Sequence, residues 1–120
     1  MYPYKLFAKP LERTEQESLI EAFRRHLANF ADIKTLYLIG SASRLQMTDA
    51  SDLDFVAIFE SESAKENAKN RFYTSPRPAN WPCDVLWYTS SEFEARSKIG
   101  GICMIAAQDG VKMDLSTAAD

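Results

Sequence analysis

The residues that decide the fold are Gly40-Ser41, followed after ten residues by the run Asp52-Leu53-Asp54-Phe55-Val56-Ala57-Ile58-Phe59. Apolar residues occupy both alternating sets of positions from Leu53 onward, which is typical of a strand buried on both faces. In such a strand the carboxylates of Asp52 and Asp54 would point to the same side, roughly 7 Å apart. Burying two like charges this close together is costly unless a cation or a proton lies between them. The run therefore predicts a buried strand whose first residues, Asp52 and Asp54, are suited to binding a metal ion.

The Gly40-Ser41 pair predicts a sharp turn from a strand into a short helix. Glycine lets the backbone turn tightly and approach a ligand closely, and the helix that follows offers unpaired N–H groups to an anion. The Ser41 hydroxyl adds a further donor. Most glycine–serine pairs are plain turns, but this pair precedes two aspartates at a short, defined distance. It is therefore a candidate phosphate-binding corner.

Outside this region, apolar periodicity and helix-capping residues predict alternating helices and strands. A first helix has Thr14 and Glu17 as its capping box, a second is capped by Ser61, and a later one begins with Ser91 and Glu94. The predicted elements also include strands at 35–39, 52–59, 83–88 and 111–115, a short helix at 41–46, and helices at 62–70 and 102–108. This order predicts a small mixed β-sheet flanked by helices, an α+β arrangement within the broad α/β class.

Length and composition narrow the possible classes of protein. The 120 residues predict a single domain over positions 1–120, too small for separate catalytic and substrate-recognition domains. The net charge of −3 does not favour nucleic acid as a partner. No segment has the length of a membrane span, and the amino terminus lacks the apolar stretch of a secretory signal. Cys83 and Cys103 lie in apolar segments without metal-ligand spacing, as expected of reduced core cysteines in a cytoplasmic protein.

Asp84 is a third candidate ligand, because it also heads a predicted strand of mostly apolar residues. If that strand lies beside the strand of Asp54, about 4.8 Å away, three carboxylates converge. An oxygen-rich site of this kind suits magnesium, and two such ions can hold a phosphate ester between an attacking and a leaving oxygen. The alternative is that each aspartate is a solvent-exposed charge in a turn or at a strand edge. A calcium loop is excluded, since the glycine it needs is missing and apolar residues follow.

The segments Leu38-Ile39-Gly40-Ser41 and Ser51-Asp52-Leu53-Asp54-Phe55-Val56, with Asp84 in a later strand, together carry a family resemblance. The pattern resembles the minimal nucleotidyltransferase (MNT) branch of the DNA polymerase beta superfamily. Within that branch it is similar to the MNT antitoxins that pair with HEPN toxins. The resemblance covers nearly the whole chain, and it implies a DNA polymerase beta-like nucleotidyltransferase fold.

The resemblance also implies roles for individual residues. Gly40, Ser41 and Arg44 would bind the nucleotide. Two magnesium ions would be held by the catalytic carboxylates of Asp52, Asp54 and Asp84. Asp84 would also lie near the acceptor hydroxyl, as its base or orienting group. The implied activity is a magnesium-dependent adenylyltransferase: a hydroxyl attacks the α-phosphate of ATP and pyrophosphate leaves. The implied acceptor is a HEPN-type toxin, so the protein would act as an AMPylating antitoxin, in a homo- or hetero-oligomer.

Two residues depart from the family's usual corner, glycine–serine–arginine–alanine–arginine–glycine. Ala42 replaces the first arginine, which removes one triphosphate contact, and Leu45 replaces the last glycine, which affects the backbone of the corner. These departures leave two alternatives open beside the active enzyme. One is a catalytically weak or inactive antitoxin that neutralises its partner by binding alone. The other is an adenylyltransferase acting on a small molecule.

Three further groups of side chains carry weaker signals. A local basic stretch is either a solvated helix face and loop or a contact for the triphosphate or an acidic partner; it comprises Lys65, Lys69, Arg71 and Arg77. His26 is expected at the surface. The apolar residues after the double glycine are expected in the core, namely Ile102, Met104 and Ile105.

Overall fold

The computed structural model describes residues 8–30 and 32–116. The helices are α1 (Arg13–Ala28), a four-residue 3₁₀ helix that we term the corner helix (Ser41–Arg44), α2 (Glu62–Thr74), α3 (Ser90–Ser97) and α4 (Ile102–Asp109). The strands are β1 (Ile33–Ile39), β2 (Leu53–Phe59), β3 (Cys83–Thr89) and β4 (Val111–Lys112). No described helix combines the length and the apolar character that a membrane crossing requires.

The described strands form one mixed sheet in the order β3-β2-β1-β4. β1 lies antiparallel between β2 and β4, whereas β2 and β3 run parallel and are connected through α2. The predicted small mixed sheet flanked by helices is confirmed. Because β2 and β3 are parallel, both strands start at the same edge of the sheet, and antiparallel β1 ends there. We call this edge, which carries Ile39, Asp54 and Asp84, the site edge.

The two faces of the sheet have different cores. Odd-numbered residues of β2 such as Phe55 pack with Phe23 of α1 and Ala68 of α2, so we call this the α1/α2 face. Even-numbered residues such as Val56 pack with Ala106 of α4, so the opposite side is the α3/α4 face. β2 is buried on both faces, as predicted, with Asp54 as its half-buried exception. The α1/α2 face contains the fully buried phenylalanines Phe23, Phe55 and Phe59, and complete burial of each contributes about 1.5–3 kcal/mol.

Two predicted capping boxes are wrong, while the cap of α2 is confirmed. α1 begins at Arg13 with no side-chain cap, and Glu17 instead forms an ion pair with Arg13 one turn away, at 3.3 Å. The capping box of α3 is formed by Thr89 and Glu92, two residues before the predicted pair Ser91 and Glu94. Ser61 caps α2 by accepting a hydrogen bond from the backbone N–H of Ala64. An S/T-x-x-E pattern fits several registers, so it cannot by itself select one.

The predicted environments of three other residues are also wrong. His26 is half-buried: one ring nitrogen lies 3.0 Å from Ser75 Oγ, and the ring packs edge-on against Phe30. Burial lowers the pKa of His26. Ile102 and Ile105 were expected in the core, yet 41% and 50% of their respective surfaces are exposed. α4 buries only Cys103 and Ala106, because one stripe of the helix faces the sheet.

Candidate functional site

Asp54 and Asp84 are direct neighbours across the parallel pair β2–β3. Both are even-numbered strand positions on the α3/α4 face, because side chains alternate along a strand and neighbouring residues share a face. Asp54 is half-buried and Asp84 is exposed. Asp52 lies in the turn before β2 rather than inside the strand as predicted, since the strand begins at Leu53. The structure thus brings two carboxylates together at the site edge, with a third two residues away along the chain.

The carboxylates influence one another electrostatically. The pKa of Asp54 is raised, first by burial, then by the charges of Asp84 and Asp52. The same acidic groups act on the neighbouring thiol of Cys83: burial is the main cause that raises its pKa to about 12, and Asp84 and Asp54 add to the shift. The negative charges of Asp84 and Asp52 therefore make the ionisation of Asp54 less favourable. A bound cation would remove this cost.

Gly40 lies directly against Asp54, because the preceding residue Ile39 pairs with Asp54 across β1 and β2. Its backbone has φ +74° and ψ −159°, a conformation that side chains other than glycine's rarely adopt. A Cβ atom on Gly40 would lie 3.1 Å from Asp54 Oδ2. Glycine is therefore needed here for its conformation and for the space taken by the carboxylate. The corner and the acidic site are one structural unit.

The two departures from the family that the sequence resembles, Ala42 and Leu45, lie in and directly after the corner helix. Ser43 Oγ donates a hydrogen bond to Gly40 O at 2.6 Å, which closes the turn. Ala42 is only 1% exposed and belongs to the α1/α2 core, so position 42 does not point into the site. Leu45 has φ +53° and ψ +42°, the left-handed conformation that glycine adopts easily. The corner keeps a glycine-like backbone at position 45 although the residue is leucine.

An open cleft of about 480 Å³ adjoins the corner on one side. Ser41, Asp52 and Asp54 line it together with hydroxyl-bearing residues of the turn before β2. That turn is closed by Thr48 and Ser51, since the Thr48 backbone N–H donates to Ser51 Oγ at 2.8 Å. Sequence reasoning missed Thr48 and Ser51, because short hydroxyl residues in a polar turn are common. We call this space the acidic cleft.

Arg44 lies on the other side of the corner. It lines a groove of about 390 Å³ that is formed by Ile39, Gly40, Ser43, Arg44, Ile105, Asp109 and Gly110. Its guanidinium Nε donates to Gln46 Oε1 at 3.1 Å. The three predicted nucleotide-binding residues are therefore divided between two spaces, with Ser41 in the acidic cleft, Arg44 in the groove and Gly40 between them. Ile105 and Asp109 were not predicted as site residues.

The donor chemistry of Asp52, Asp54 and Asp84 fits a hard divalent cation such as magnesium. Their mutual repulsion, seen at Asp54, is the electrostatic condition that a cation relieves. Among residues 8–30 and 32–116, however, no three His, Cys, Asp or Glu side chains already converge closely enough to hold an ion. The carboxylates lie near one another without a preformed cage, so an ion would have to draw them together.

Two residues of the basic stretch, Lys65 and Arg71, have partners away from the aspartates. Lys65 Nζ forms ion pairs with Glu62 at 3.0 Å and Glu92 at 3.3 Å. The Arg71 guanidinium lies 5.3 Å above the Phe30 ring. Both basic residues belong to α2, which packs on the α1/α2 face, whereas Asp54 and Asp84 belong to the α3/α4 face. These contacts do not support a triphosphate contact for Lys65 and Arg71, and Lys65 is buried rather than on a solvated helix face.

Comparisons with known proteins give one result at the level of structure. No protein-family model matches the chain, and no curated protein does. The chain is similar to a solved structure described as "Crystal structure of a putative nucleotidyltransferase from Sulfolobus solfataricus", with a TM-score of 0.47 and 17% sequence identity. The similarity covers 67% of this chain and 75% of the other.

Proposed function

We propose that this protein is a magnesium-dependent nucleotidyltransferase that moves AMP from ATP to a hydroxyl group of a protein partner. By its sequence resemblance to MNT antitoxins, the partner is a HEPN-type toxin and the transfer silences it. The observation that carries the proposal is the contact between the corner and the acidic site. A Cβ atom on Gly40 would make a tight contact of 3.1 Å with Asp54 Oδ2, and Asp54 pairs in register with Asp84.

Each residue has a distinct task in the proposed reaction. The backbone at Gly40 and the Ser41 hydroxyl bind phosphate oxygens through N–H and O–H donors. Asp52, Asp54 and Asp84 hold magnesium, which when bound would neutralise negative charge on the phosphoryl oxygens. Asp84 is exposed on β3, so a hydroxyl of another chain can reach it. It orients that hydroxyl and accepts its proton.

The chemistry is an in-line displacement. The acceptor oxygen forms a bond to the α-phosphorus of ATP, and the bond from that phosphorus to the bridging oxygen of the β-phosphate breaks. Pyrophosphate leaves, and the hydroxyl proton passes to Asp84. Holding the hydroxyl and the α-phosphate together supplies much of the rate enhancement in such transfers.

The test is transfer of labelled AMP. The protein is incubated with magnesium, ATP labelled at the α-phosphate and a co-expressed HEPN-family toxin. Wild type should label the toxin, whereas Asp54→Asn and Asp84→Asn should reduce labelling at least about 100-fold, the usual range for removing an essential catalytic group. The control Glu94→Gln removes an exposed charge whose pairing with Lys98 at 3.5 Å contributes little, so it should label as wild type. Equal labelling by wild type and Asp54→Asn would disprove the assignment.

A second candidate is an antitoxin that acts by binding alone. Two observations favour it: the carboxylates of the described residues do not already form a metal cage, and Ala42 is buried where the resembling family has an arginine. Co-expression distinguishes the two functions. If Asp54→Asn protects cells from the toxin as well as wild type does, binding is sufficient; if protection is lost while the two proteins still co-purify, transfer is required.

A further inference from the structure

Helix α4 exposes apolar surface beside the corner. It carries six consecutive apolar residues from Ile102 to Ala107, so it is apolar on all sides, and such helices are normally buried all round. Only Cys103 and Ala106 are buried in α4. Ile105 is 50% exposed, and its free side lines the groove that also contains Gly40. The groove therefore has an aliphatic wall that is open to a ligand and adjoins the candidate phosphate corner.

Two of the other residues that line the groove are glycines. Gly40 and Gly110 bring main-chain atoms to its surface without side chains. A Cβ atom at Gly110 would lie 2.6 Å from Ala106 O, so the tight end of α4 requires glycine there. The groove holds about 390 Å³, within the range of small-ligand sites. The side chain of Ile105 together with two glycines in the lining leaves room for a flat ring.

Two charged side chains give the groove its polarity. Arg44 is already hydrogen-bonded to Gln46. The Asp109 carboxylate has neither a hydrogen-bond nor an ion-pair partner among residues 8–30 and 32–116, so its oxygens are free to accept. A carboxylate repels a triphosphate and attracts an N–H donor. With magnesium bound at Asp52 and Asp54, the phosphates are expected in the acidic cleft beside Ser41, and an uncharged donor group is expected at Asp109 in the groove.

We propose that the groove is the base-binding subsite for the nucleotide, with Ile105 against the ring and Asp109 accepting a hydrogen bond from an exocyclic amino group. This inference rests on the proposed nucleotidyltransferase function and adds the selection of the base to it. Gly40 then separates the two parts of the substrate, with the base on the α4 side of the corner and the phosphates on the side of Ser41. Asp109 selects amino-bearing bases such as adenine over their keto counterparts.

The test compares ATP with inosine triphosphate, which carries a keto oxygen where adenine carries the amino group. Dissociation constants are measured by calorimetry with magnesium present. Wild type should bind ATP about tenfold more tightly, since a hydrogen bond to a charged acceptor is gained with one base and a repulsive oxygen is met with the other. Asp109→Asn should bring the two constants within about twofold, because an amide can donate as well as accept.

Matched variants separate the subsite from general effects. Asp32→Asn removes an exposed charge just before β1, at the opposite end of the strand from Gly40, and should keep the tenfold preference. Ile105→Ser should weaken both nucleotides by a similar factor, about tenfold, through loss of the apolar wall. Ile99→Ser, at an 84% exposed isoleucine outside the groove, should weaken neither.

The outcomes distinguish this inference from the proposed function. Equal binding of ATP and inosine triphosphate by wild type, or an unchanged preference in Asp109→Asn, would overturn the base subsite even if AMP transfer occurs. A preference that depends on Asp109 in a protein that transfers no AMP would support the subsite and reject the enzymatic function. Absence of binding of either nucleotide by wild type would overturn the subsite.

Discussion

Two glycine corners of this protein have nearly the same backbone and different surroundings. Gly40, before the corner helix, has φ +74° and ψ −159°; Gly101, before α4, has φ +76° and ψ −156°. Neither helix start has a side-chain cap. A Cβ atom on Gly40 would lie 3.1 Å from Asp54 Oδ2, whereas no described atom lies within 4 Å of a Cβ on Gly101. The turn alone is thus common to both corners, and the carboxylate from β2 is what distinguishes the candidate site.

The largest effect is expected from placing alanine at each corner. Gly40→Ala and Gly101→Ala should each lower the free energy of unfolding by about 1–3 kcal/mol, because both force an alanine into a conformation that strongly favours glycine. Only Gly40→Ala should also weaken the binding of ATP with magnesium, since its new Cβ must push Asp54 aside. Urea unfolding measures the first effect, and a shift of the melting temperature by ATP and magnesium measures the second. Equal loss of binding in both variants would remove the distinction between the corners.

A double-mutant cycle isolates the contact with Asp54. In a Gly40→Ala background, Asp54→Ala should recover about 0.5–1 kcal/mol relative to the sum of the single changes, because the crowded oxygen is gone. The same cycle built on Gly101→Ala should be additive within about 0.3–0.5 kcal/mol, the usual margin for sites without shared contacts. A coupling of the same size in both cycles would mean that the 3.1 Å approach has no energetic consequence.

The charge of Asp54 should destabilise the folded protein near neutral pH. Its folded-state pKa is raised, chiefly by burial and then by Asp84, so the folded state holds the proton more tightly than the unfolded state does. The stability of the folded state associated with protonated Asp54 is therefore present at low pH. It is lost as the pH rises through the folded-state pKa of Asp54. Asp54→Asn should therefore be more stable than wild type at pH 7, by less than about 1 kcal/mol because water screens this half-exposed group. The advantage should vanish below the unfolded pKa of 3.8.

This prediction is checked by thermal unfolding between pH 3 and pH 8 without magnesium. Glu94→Gln is the control for removing a surface charge, and its stability relative to wild type should change little with pH. A variant Asp54→Asn that is less stable than wild type at pH 7 would show that the carboxylate is favourable in the folded state, contrary to the direction of its pKa shift.

The smallest effect is expected at the end of the corner helix. Leu45 has φ +53°, which costs a leucine about 1 kcal/mol, so Leu45→Gly should raise the free energy of unfolding by roughly 0.5 kcal/mol after the greater chain entropy of glycine is subtracted. Arg44→Gly, one residue earlier within the helix, should lower it by about 0.5–1 kcal/mol. Chemical denaturation measures the free energy of unfolding, which should rise in Leu45→Gly and fall in Arg44→Gly. A decrease in both variants would show that packing of the half-buried leucine side chain outweighs the backbone strain.

The fold was predictable where local signals and burial agree. The run from Leu53 to Phe59 is apolar at both alternating sets of positions, and only a strand covered on two faces satisfies it. The capping box of α3 was misplaced because neighbouring hydroxyl and carboxylate residues fit the pattern in more than one register, as at Ser91 and Thr89. The capping box predicted for α1 does not exist, since that helix begins without a side-chain cap. The exposure of Ile105 could not be foreseen, because an apolar residue on a helix indicates the core whether or not a groove adjoins it.

The proximity of Asp54 and Asp84 in the candidate site was predictable, because it follows from the order and direction of the strands. Asp54 and Asp84 each head an apolar strand, and a parallel pairing places such starts side by side. Their roles as metal ligands and catalytic groups stay predictions. Asp109 was not identified, because it reaches the corner from the end of α4 and no spacing along the chain links it to Gly40. A groove between distant segments becomes visible only when the tertiary arrangement is known.

The parallel pairing of β2 and β3 also determines at which stage of folding the candidate site forms. Asp84 follows Asp54 by 30 positions, and the two meet only after the intervening α2 crossover has closed. Closing such a connection lowers the chain entropy before the favourable strand contacts form. Non-local strand pairs therefore form slowly compared with helices. A nascent chain that has emerged only as far as β2 therefore carries Gly40 beside Asp54 and still lacks the opposing carboxylate. The candidate site is therefore complete only once β3, an outer strand of the described sheet, has paired with β2.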